Sequence, residues 1–272
     1  MPITLFNGQL ISPDHAALYA DDRGFHYGDG VFETMRLKSG RVRFLADHWQ
    51  RLLLGCARLG ITAPSIDVLN VELAQLIKGQ EDGVIKLVIS RGRSERGYRP
   101  PVGSQSSRLW QLHTSLPQSA THGIQIRWCT TRLARNEQLA GIKHCNRLEQ
   151  ILAQAEWSDP AIAEGLMLDT DGELVCATMS NVFLVLDQVI VTPDLRYAGV
   201  EGVMRKNVLH LANQLGLSVE LRAVRAEEVV AAEEIFLTNA VRGIQPVTQL
   251  DQLSWSVGSM TQQLMMALNH SS

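Results

Sequence analysis

Cysteine is scarce in this chain of 272 residues, and its spacing carries no metal or disulfide motif. Zinc sites and disulfide frameworks need closely spaced or regularly recurring cysteines, so we predict neither. Buried thiols are the default interpretation for all of them. A nucleophile pair of His144 with Cys145 is not favoured, because adjacent side chains usually point apart. The cysteines are Cys56, Cys129, Cys145 and Cys176.

Net charge and long apolar runs are lacking as well. The formal charge is −3, which gives no electrostatic footprint for nucleic acid or for an anionic membrane. No apolar run approaches the length of a membrane span, and residues 1–4 lack the basic start and the long apolar region of a signal peptide. We therefore expect a cytoplasmic protein that acts on a small molecule, with neither a nucleic-acid nor a membrane partner.

Regular structure is predicted along most of the chain, in an order that favours the α+β class. At 45% hydrophobic and 19% charged residues, the composition is that of a globular protein. Asn7-Gly8 predicts a hairpin across residues 3–11, whereas the polar, glycine-rich residues 21–30 predict a loop. Strands and helices do not alternate strictly, so a doubly wound sheet is not favoured. Helices are predicted over 45–59, from 65 to about 77, from 148 to about 157, over 203–215 and from about 257 to 268.

The length of the chain allows two domains of moderate size. Residues 115–123 (SLPQSATHG) are the best candidate linker, because they combine proline, glycine and small polar residues. We therefore predict a smaller N-terminal α+β domain over residues 1–114 and a larger C-terminal domain over residues 124–272. Lys143 falls in the larger domain.

Lys143 stands between a small, flexible run at residues 140–142 and an apolar helical pattern that begins at Leu148. A lysine at such a transition can project into a cleft. If its ammonium is desolvated there, it loses its proton readily and becomes a nucleophilic amine that can form a Schiff base with a carbonyl. The alternative is a solvated lysine at the start of a helix.

A second candidate site is the glycine turn at residues 199–205 (GVEGVMR), directly before a predicted helix. Free backbone N–H groups and the helix dipole make such a helix start a binding site for an anion. A plain helix N-terminus is the alternative. The chain has no G-x-x-x-x-G-K-[ST] motif, so a nucleoside-triphosphate loop is excluded.

Six segments taken together resemble one known family. The chain is similar to the fold-type IV pyridoxal-phosphate enzymes, which include branched-chain aminotransferases, D-amino acid aminotransferases and aminodeoxychorismate lyases. The segments follow the family's order over residues 27–239, so the resemblance covers nearly the whole chain. They are residues 27–33 (YGDGVFE), 48–52 (HWQRL), 140–148 (AGIKHCNRL), 180–183 (SNVF), 199–205 (GVEGVMR) and 236–239 (FLTN).

The resemblance implies a two-domain, homodimeric enzyme with pyridoxal 5'-phosphate in the cleft between the domains. By the same resemblance, Lys143 carries the covalent link to the cofactor aldehyde, and Arg51 meets the cofactor phosphate. The helix start at 199–205 then serves the same phosphate, in agreement with its character as an anion site. The remaining implied cofactor contacts are the amides of Val203 and Met204, together with Thr238 and Asn239.

Within this family, residues 141–148 and 90–98 look most like aminodeoxychorismate lyases. Such enzymes convert 4-amino-4-deoxychorismate to p-aminobenzoate and pyruvate, a step towards folate. The substrate bears two carboxylates, so arginines are expected to contact it. The candidates are Arg96, Arg99 and Arg242, with Tyr98 as a hydrogen-bond partner, although each arginine alone is also compatible with an ordinary surface position.

One position departs from the family pattern. Where family members usually have a glutamate that meets the pyridine nitrogen, this chain has Cys176. A carboxylate keeps the ring nitrogen protonated, whereas a neutral thiol does so poorly. Glu173 lies three residues away, and an odd spacing on a strand points to the opposite face. We favour the view that aromatisation of the product lowers the need for the acid; an impaired or differently supported enzyme is the alternative.

Two other functions compete with the lyase. An aminotransferase for branched-chain or D-amino acids uses the same lysine, but it must reprotonate the cofactor carbon, so the missing glutamate argues against it. A catalytically inactive pyridoxal-phosphate-binding protein is the second alternative, since a fold can outlive its chemistry.

Overall fold

The computed structural model describes residues 2–12, 18–117 and 122–270. Most of the predicted linker falls within these ranges, but residues 118–121 lie outside them. In chain order the elements are β1 (Ile3–Phe6), β2 (Gln9–Ile11), α1 (Arg23–Tyr27), β3 (Gly30–Lys38), β4 (Arg41–Val42), α2 (Leu45–Leu59), α3 (Ile66–Leu76), β5 (Gly83–Ser90), β6 (Ser107–His113), β7 (Ile124–Trp128), α4 (Leu148–Gln154), β8 (Ile162–Leu168), β9 (Leu174–Ala177), β10 (Asn181–Leu186), β11 (Val189–Pro193), α5 (Val203–Gln214), β12 (Val219–Arg222), α6 (Ala226–Ala231), β13 (Glu234–Asn239), β14 (Gly243–Leu250), β15 (Leu253–Ser254) and α7 (Ser259–His270).

The chain divides into two compact units. The first contains residues 1–117 and the short segment Ile142–Asn146, and the second contains residues 118–141 and 147–272. The sequence predicts residues 142–146 in the C-terminal domain, but here they group with the first unit because their backbone bonds to β3. Phe32 N donates to Lys143 O at 2.9 Å, and Cys145 N donates to Gly30 O at 2.9 Å. The predicted domain boundaries otherwise stay a prediction.

The first unit is an antiparallel sheet in the order β2-β1-β6-β5-β3-β4, with α2 and α3 contributing to its core. The predicted hairpin is confirmed, with both turn residues in the left-handed region (Asn7 φ 50°, Gly8 φ 81°). The amphipathic helix predicted over 45–59 is also confirmed, and it ends at Gly60 with φ 64°. Its buried stripe includes Trp49, Leu52 and Cys56. Each large apolar side chain buried in this way contributes about 1.5–3 kcal/mol.

The described residues of the second unit form a larger mixed sheet in the order β12-β11-β10-β13-β14-β7-β8-β9, with β15 paired to β14. Most strands are buried on both faces, as the pattern of β13 shows from Glu234 to Thr238. Helices α5 and α7 pack against each other and against β13. Because β10 and β13 are antiparallel neighbours, the end of β13 lies beside the start of β10.

Two segments differ from the sequence prediction. Residues 21–30 contain the short helix α1, whose N-cap Asp22 accepts a hydrogen bond from Gly24 N. The helix after Lys143 ends at Gln154 rather than near residue 157. Its three large apolar residues are also not core residues of this chain: Leu148, Ile151 and Leu152 are 74%, 60% and 62% exposed.

Among the residues that the structure describes, no helix combines the length and the hydropathy needed to cross a bilayer. The predicted α+β class is confirmed by the two mixed units.

Candidate active site

Lys143 lies on a short extended segment at the N-terminal end of β3. His144 forms a backbone bridge with Val31, and Ile142 is 1% exposed. The half-buried Lys143 places its Nζ 4.2 Å from the centre of the Phe32 ring. The aromatic face shields one side of the amine from water and attracts it while it is charged.

Helix α2 lies against this segment and carries Arg51. Gly55, one turn after Arg51, faces both neighbours: a Cβ at this position would lie 3.0 Å from Val31 Cγ1 and 3.9 Å from Ile142 Cβ. The absence of a side chain at Gly55 therefore allows α2 to approach β3 and the lysine segment closely. Arg51 and Lys143 are thus held by neighbouring elements of one unit.

Arg51 belongs to a buried polar cluster with Glu33 and His48. Glu33 is 0% exposed and accepts hydrogen bonds from Arg51 Nε at 2.7 Å, from Arg51 Nη2, and from His48 Nδ1 at 2.7 Å. Burial alone raises the pKa of Glu33, but the charge of Arg51 and the hydrogen bond from His48 outweigh it and lower the pKa to about 2. Glu33 therefore stays ionised at neutral pH and fixes the guanidinium of Arg51.

Three of the predicted substrate contacts share one loop of the first unit. Arg96, Tyr98 and Arg99 lie on the connection between β5 and β6, and all three are exposed, Tyr98 to 85%. The fourth, Arg242, is exposed on the turn between β13 and β14 in the second unit. Its backbone N–H donates to Asn239 Oδ1 at 2.8 Å.

The predicted phosphate contacts of the second unit meet at the start of α5. The N-cap Gly202 has no side chain that could accept from the first amides, and the first intrahelical bond runs from Lys206 N to Gly202 O. The amides of Val203 and Met204 are therefore not used by the helix. A Cβ on Gly202 would lie 2.0 Å from Asn181 Oδ1, so only glycine fits beside this asparagine.

Thr238 is the register partner of Asn181 across β10 and β13, so it lies beside the same helix start. Its side chain is 1% exposed, and its Oγ1 has no hydrogen-bond partner among the described residues. Asn239 is oriented by Ser180, to whose Oγ its Nδ2 donates at 3.0 Å. Free helix amides beside a buried hydroxyl that lacks a partner form a donor set that suits a phosphate group. The residues present thus fit the phosphate of the predicted cofactor.

Cys176 lies on β9, opposite Met167 of β8, in an apolar environment. Its side chain is 7% exposed, and burial raises the pKa of the thiol to about 12. The thiol is therefore neutral at physiological pH, as expected for a residue that cannot replace a carboxylate. The cluster around it consists of Cys129, Leu133, Ala153, Met167, Val175, Leu195, Ala198 and Trp157.

Glu164 of β8 and Glu173 of the turn before β9 are both engaged elsewhere. Glu173 is paired with Arg135, whose Nη1 lies 3.4 Å from its Oε2. Glu164 is buried on β8 three residues before Met167, so strand alternation points it to the other face from Cys176. Glu164 instead accepts from Met179 N at 2.8 Å and from Ser180 Oγ at 2.5 Å.

Sequence reasoning missed several residues that organise these sites. Glu33 and His48 fall inside family segments, but no role was predicted for them. Arg23 was assigned to a loop, although it is 4% exposed and makes four hydrogen bonds. The available signal for Glu33 was its position on the core face of an alternating strand, where a charge needs a partner.

The family of the chain follows from comparison with known proteins. A model of the amino-transferase class IV family matches residues 30–250, and the chain belongs to that family. The structure is similar to 4-amino-4-deoxychorismate lyase from Pseudomonas aeruginosa, with a TM-score of 0.93 and 41% identity over 98% of each chain. These findings confirm the predicted family and fold.

Two further relatives show the range of activities in the family. Aminodeoxychorismate lyase from Vibrio harveyi is 34% identical, and the alignment covers 91% of this chain and 94% of that protein. D-alanine aminotransferase from Bacillus licheniformis is 28% identical, with 98% and 96% coverage.

Proposed function

We propose that the protein is a pyridoxal-phosphate-dependent lyase that converts 4-amino-4-deoxychorismate to p-aminobenzoate and pyruvate, a step in folate biosynthesis. The observation that carries this proposal is the likeness over almost the whole chain to the Pseudomonas aeruginosa lyase, at 41% identity. The Vibrio harveyi lyase, at 34%, is also more similar than the Bacillus licheniformis aminotransferase, at 28%.

The cofactor in this proposal is pyridoxal 5'-phosphate. Lys143 holds its aldehyde covalently, and Arg51, the amides of Val203 and Met204, and the side chains of Thr238 and Asn239 hold its phosphate. Thr238 gives the strongest support, because its buried hydroxyl otherwise has no partner among the described residues. When bound, the cofactor supplies an electron-withdrawing pyridine ring that spreads the negative charge formed beside the substrate amine.

The chain's own residues then carry the proton transfer. Once the substrate amine has released it, the Lys143 Nζ would act as the general base that removes the C–H proton next to that amine. The Phe32 ring, 4.2 Å from Nζ, keeps water away from one side of the amine. The C–O bond to the enolpyruvyl group then breaks with its electron pair on the oxygen, which leaves an aromatic ring. The departing enolate takes up the proton that Lys143 removed and becomes pyruvate.

The substrate carboxylates require cationic partners. Arg96, Arg99 and Arg242 supply these in the proposal, with the Tyr98 hydroxyl as a hydrogen-bond donor. Their exposure leaves the guanidinium groups accessible to a small dianion.

The neutral thiol of Cys176 is compatible with a lyase because aromatisation provides driving force that an aminotransferase lacks. A ring nitrogen held beside Cys176 would meet a neutral thiol rather than a carboxylate, since burial raises the pKa of the thiol to about 12. The same feature disfavours reprotonation of the cofactor carbon, which an aminotransferase requires.

The proposed enzyme is a cytoplasmic homodimer that acts on a small molecule. The net charge of −3 disfavours a nucleic-acid partner. The exposed apolar residues Leu148, Ile151 and Leu152 of α4 support association with a second copy. Light scattering tests this: the wild type should have twice the 30.1 kDa chain mass, and Ile151→Lys should shift it towards the monomer. A monomeric wild type would contradict the homodimer.

Product analysis tests the function. Cofactor-saturated protein should release equal amounts of p-aminobenzoate and pyruvate from 4-amino-4-deoxychorismate, and Lys143→Ala should release neither. With D-alanine or L-leucine plus 2-oxoglutarate, no comparable transfer of the amino group is expected. The 28%-identical aminotransferase relative makes amino-group transfer the second candidate function, and efficient transfer without p-aminobenzoate would establish it. A bound chromophore with no turnover of any amine would instead indicate a protein that only binds the cofactor.

A further inference from the structure

The loop between β5 and β6 carries three of the proposed substrate contacts but has little regular structure of its own. Gly97 at its tip has φ 105°, a conformation that other residues rarely adopt. Arg96, Tyr98 and Arg99 beside it are exposed. Their placement therefore depends on what holds the loop backbone from below.

Arg23 of α1 reaches this backbone directly. Its Nη1 donates to Ser94 Oγ at 3.2 Å and to Gly97 O at 3.0 Å, and its Nη2 donates to Tyr98 O at 3.0 Å. Its Nε donates to Asp29 Oδ2 at 2.7 Å. The planar fork of a guanidinium can make these bonds together, whereas the single ammonium of a lysine cannot.

Asp29 joins Arg23 to Arg91 at the first residue of the loop. Arg91 Nε donates to Asp29 Oδ2 at 2.7 Å, and its Nη2 donates to Asp29 Oδ1 at 3.0 Å. Arg91 also bonds to the carbonyls of Leu59 and Gly60 at the end of α2, both at 2.7 Å. Burial raises the pKa of Asp29, but the hydrogen bonds from Arg91 and Arg23 outweigh it and hold the pKa below its ordinary value.

The same turn, residues 28–30, also holds the segment that contains Lys143. Asn146 Nδ2 donates to Gly28 O at 3.1 Å, and Cys145 N donates to Gly30 O at 2.9 Å. Arg91 N donates to Asp29 O at 3.0 Å. One short turn therefore anchors the lysine segment on one side and the arginine loop on the other.

We propose that Arg23 is a positioning residue for the substrate: it sets the backbone of residues 94–98, so that Arg96 and Tyr98 can meet the substrate carboxylates. Arg23 itself is 4% exposed, and its hydrogen bonds go to Asp29, Ser94, Gly97 and Tyr98. The inference rests on the proposed function for the identity of the substrate. The contacts between Arg23 and the loop do not depend on that identity.

Kinetics of two matched variants test the role of Arg23. Arg23→Lys keeps the positive charge but removes the planar guanidinium that donates several hydrogen bonds at once. Arg93→Lys makes the same change in the same loop, at a residue whose ion pair with Asp21 is exposed (59% and 44%). In cofactor-saturated enzyme, we expect Arg23→Lys to raise KM about tenfold, equivalent to about 1.4 kcal/mol, with kcat within about twofold. Arg93→Lys should leave both constants within about twofold. Equal effects of the two variants on KM would overturn the proposal.

Limited trypsin digestion supplies a readout that is independent of turnover. The bond after Arg96 should be cut about tenfold faster in Arg23→Lys than in the wild type, and at the wild-type rate in Arg93→Lys, while the cofactor absorbance stays unchanged. Unchanged cleavage in Arg23→Lys would overturn the proposal. If Arg23→Lys does not fold, Ser94→Ala removes one contact and should give a smaller increase of about two- to threefold, and no increase would refute the role.

The two proposals fail in distinguishable ways. If wild-type enzyme does not turn over 4-amino-4-deoxychorismate, the proposed function fails, and the substrate role of Arg23 falls with it. The digestion still decides whether Arg23 holds the loop. If the wild type is active and Arg23→Lys changes kcat but not KM, the lyase stands and the positioning role is refuted.

Discussion

The Thr238→Val variant tests whether the Thr238 hydroxyl serves to bind a phosphate or to stabilise the fold. The Thr238 hydroxyl is buried, at 1% exposure, without a partner among the described residues. Thr192 of β11 is the matched control: it is 0% exposed, and its hydroxyl donates to Val182 O at 2.8 Å. Both substitutions remove one hydroxyl and keep the branched shape of the side chain.

The two changes should have opposite effects on the cofactor-free protein. A buried polar group without a partner costs about 1–3 kcal/mol, so Thr238→Val should raise the free energy of unfolding by about 1 kcal/mol. Thr192→Val removes a buried hydrogen bond and replaces it with nothing, so it should lower that free energy by about 1 kcal/mol. Cofactor affinity should fall about tenfold in Thr238→Val, the loss of about 1.4 kcal/mol, and should not change in Thr192→Val.

Urea unfolding of cofactor-free protein measures the first effect, and fluorescence titration with pyridoxal 5'-phosphate measures the second. The informative result is the crossed pattern, in which Thr238→Val gains stability while it loses affinity. If Thr238→Val destabilises the cofactor-free protein as Thr192→Val does and binds the cofactor normally, the assignment of Thr238 to the phosphate site is refuted.

Three further substitutions follow from the geometry of the sites. Cys176→Glu should leave lyase turnover within a few-fold; a hundredfold gain, about 2.7 kcal/mol of barrier, would show that the missing acid limits the reaction. Glu33→Gln should lower the free energy of unfolding at neutral pH by about 3 kcal/mol, because the pKa of Glu33 falls from 4.5 to about 2 on folding. The stabilisation by ionised Glu33 is complete above about pH 4.5 and is lost towards pH 2. In urea unfolding, the difference in the free energy of unfolding between Glu33→Gln and the wild type should therefore shrink on acidification. A difference that stays constant with pH would contradict this. Gly202→Ala should weaken cofactor binding in the same titration by at least about tenfold, since its Cβ would lie 2.0 Å from Asn181 Oδ1; normal affinity would contradict this.

The sequence correctly predicted those features that depend on only a few adjacent residues. Asn7-Gly8 specifies its own hairpin, because both residues adopt positive φ readily. Gly60 ends α2 for the same reason. The glycine turn before α5 predicted unused amides, and these are present because they depend only on the helix itself.

Longer-range features could not be predicted in this way. Helix α1 has only five residues and depends on Asp22, whose carboxylate accepts from Ser90 and Ser107, 68 and 85 residues away. The placement of Lys143 beside Phe32 likewise comes from backbone pairing between residues more than a hundred positions apart. The apolar stripe of α4 predicted a helix, but periodicity cannot show which surface covers it.

The sequence therefore predicted which residues belong to the candidate site, but not how their side chains contact one another. The family segments identified Lys143, Arg51 and Thr238. They did not reveal that Glu33 fixes the guanidinium of Arg51, because strand and helix faces must be known before that contact is visible. The roles of these residues in binding and catalysis stay predictions.

The proposed function depends on a covalent bond between the amine of Lys143 and the aldehyde of pyridoxal 5'-phosphate. Borohydride reduction of cofactor-saturated protein, followed by proteolysis and mass spectrometry, tests it directly. We expect a single pyridoxyl adduct, on the peptide that contains Lys143, and its loss in Lys143→Ala. Saturated protein with no adduct at residue 143, or with the adduct on another lysine, would contradict it.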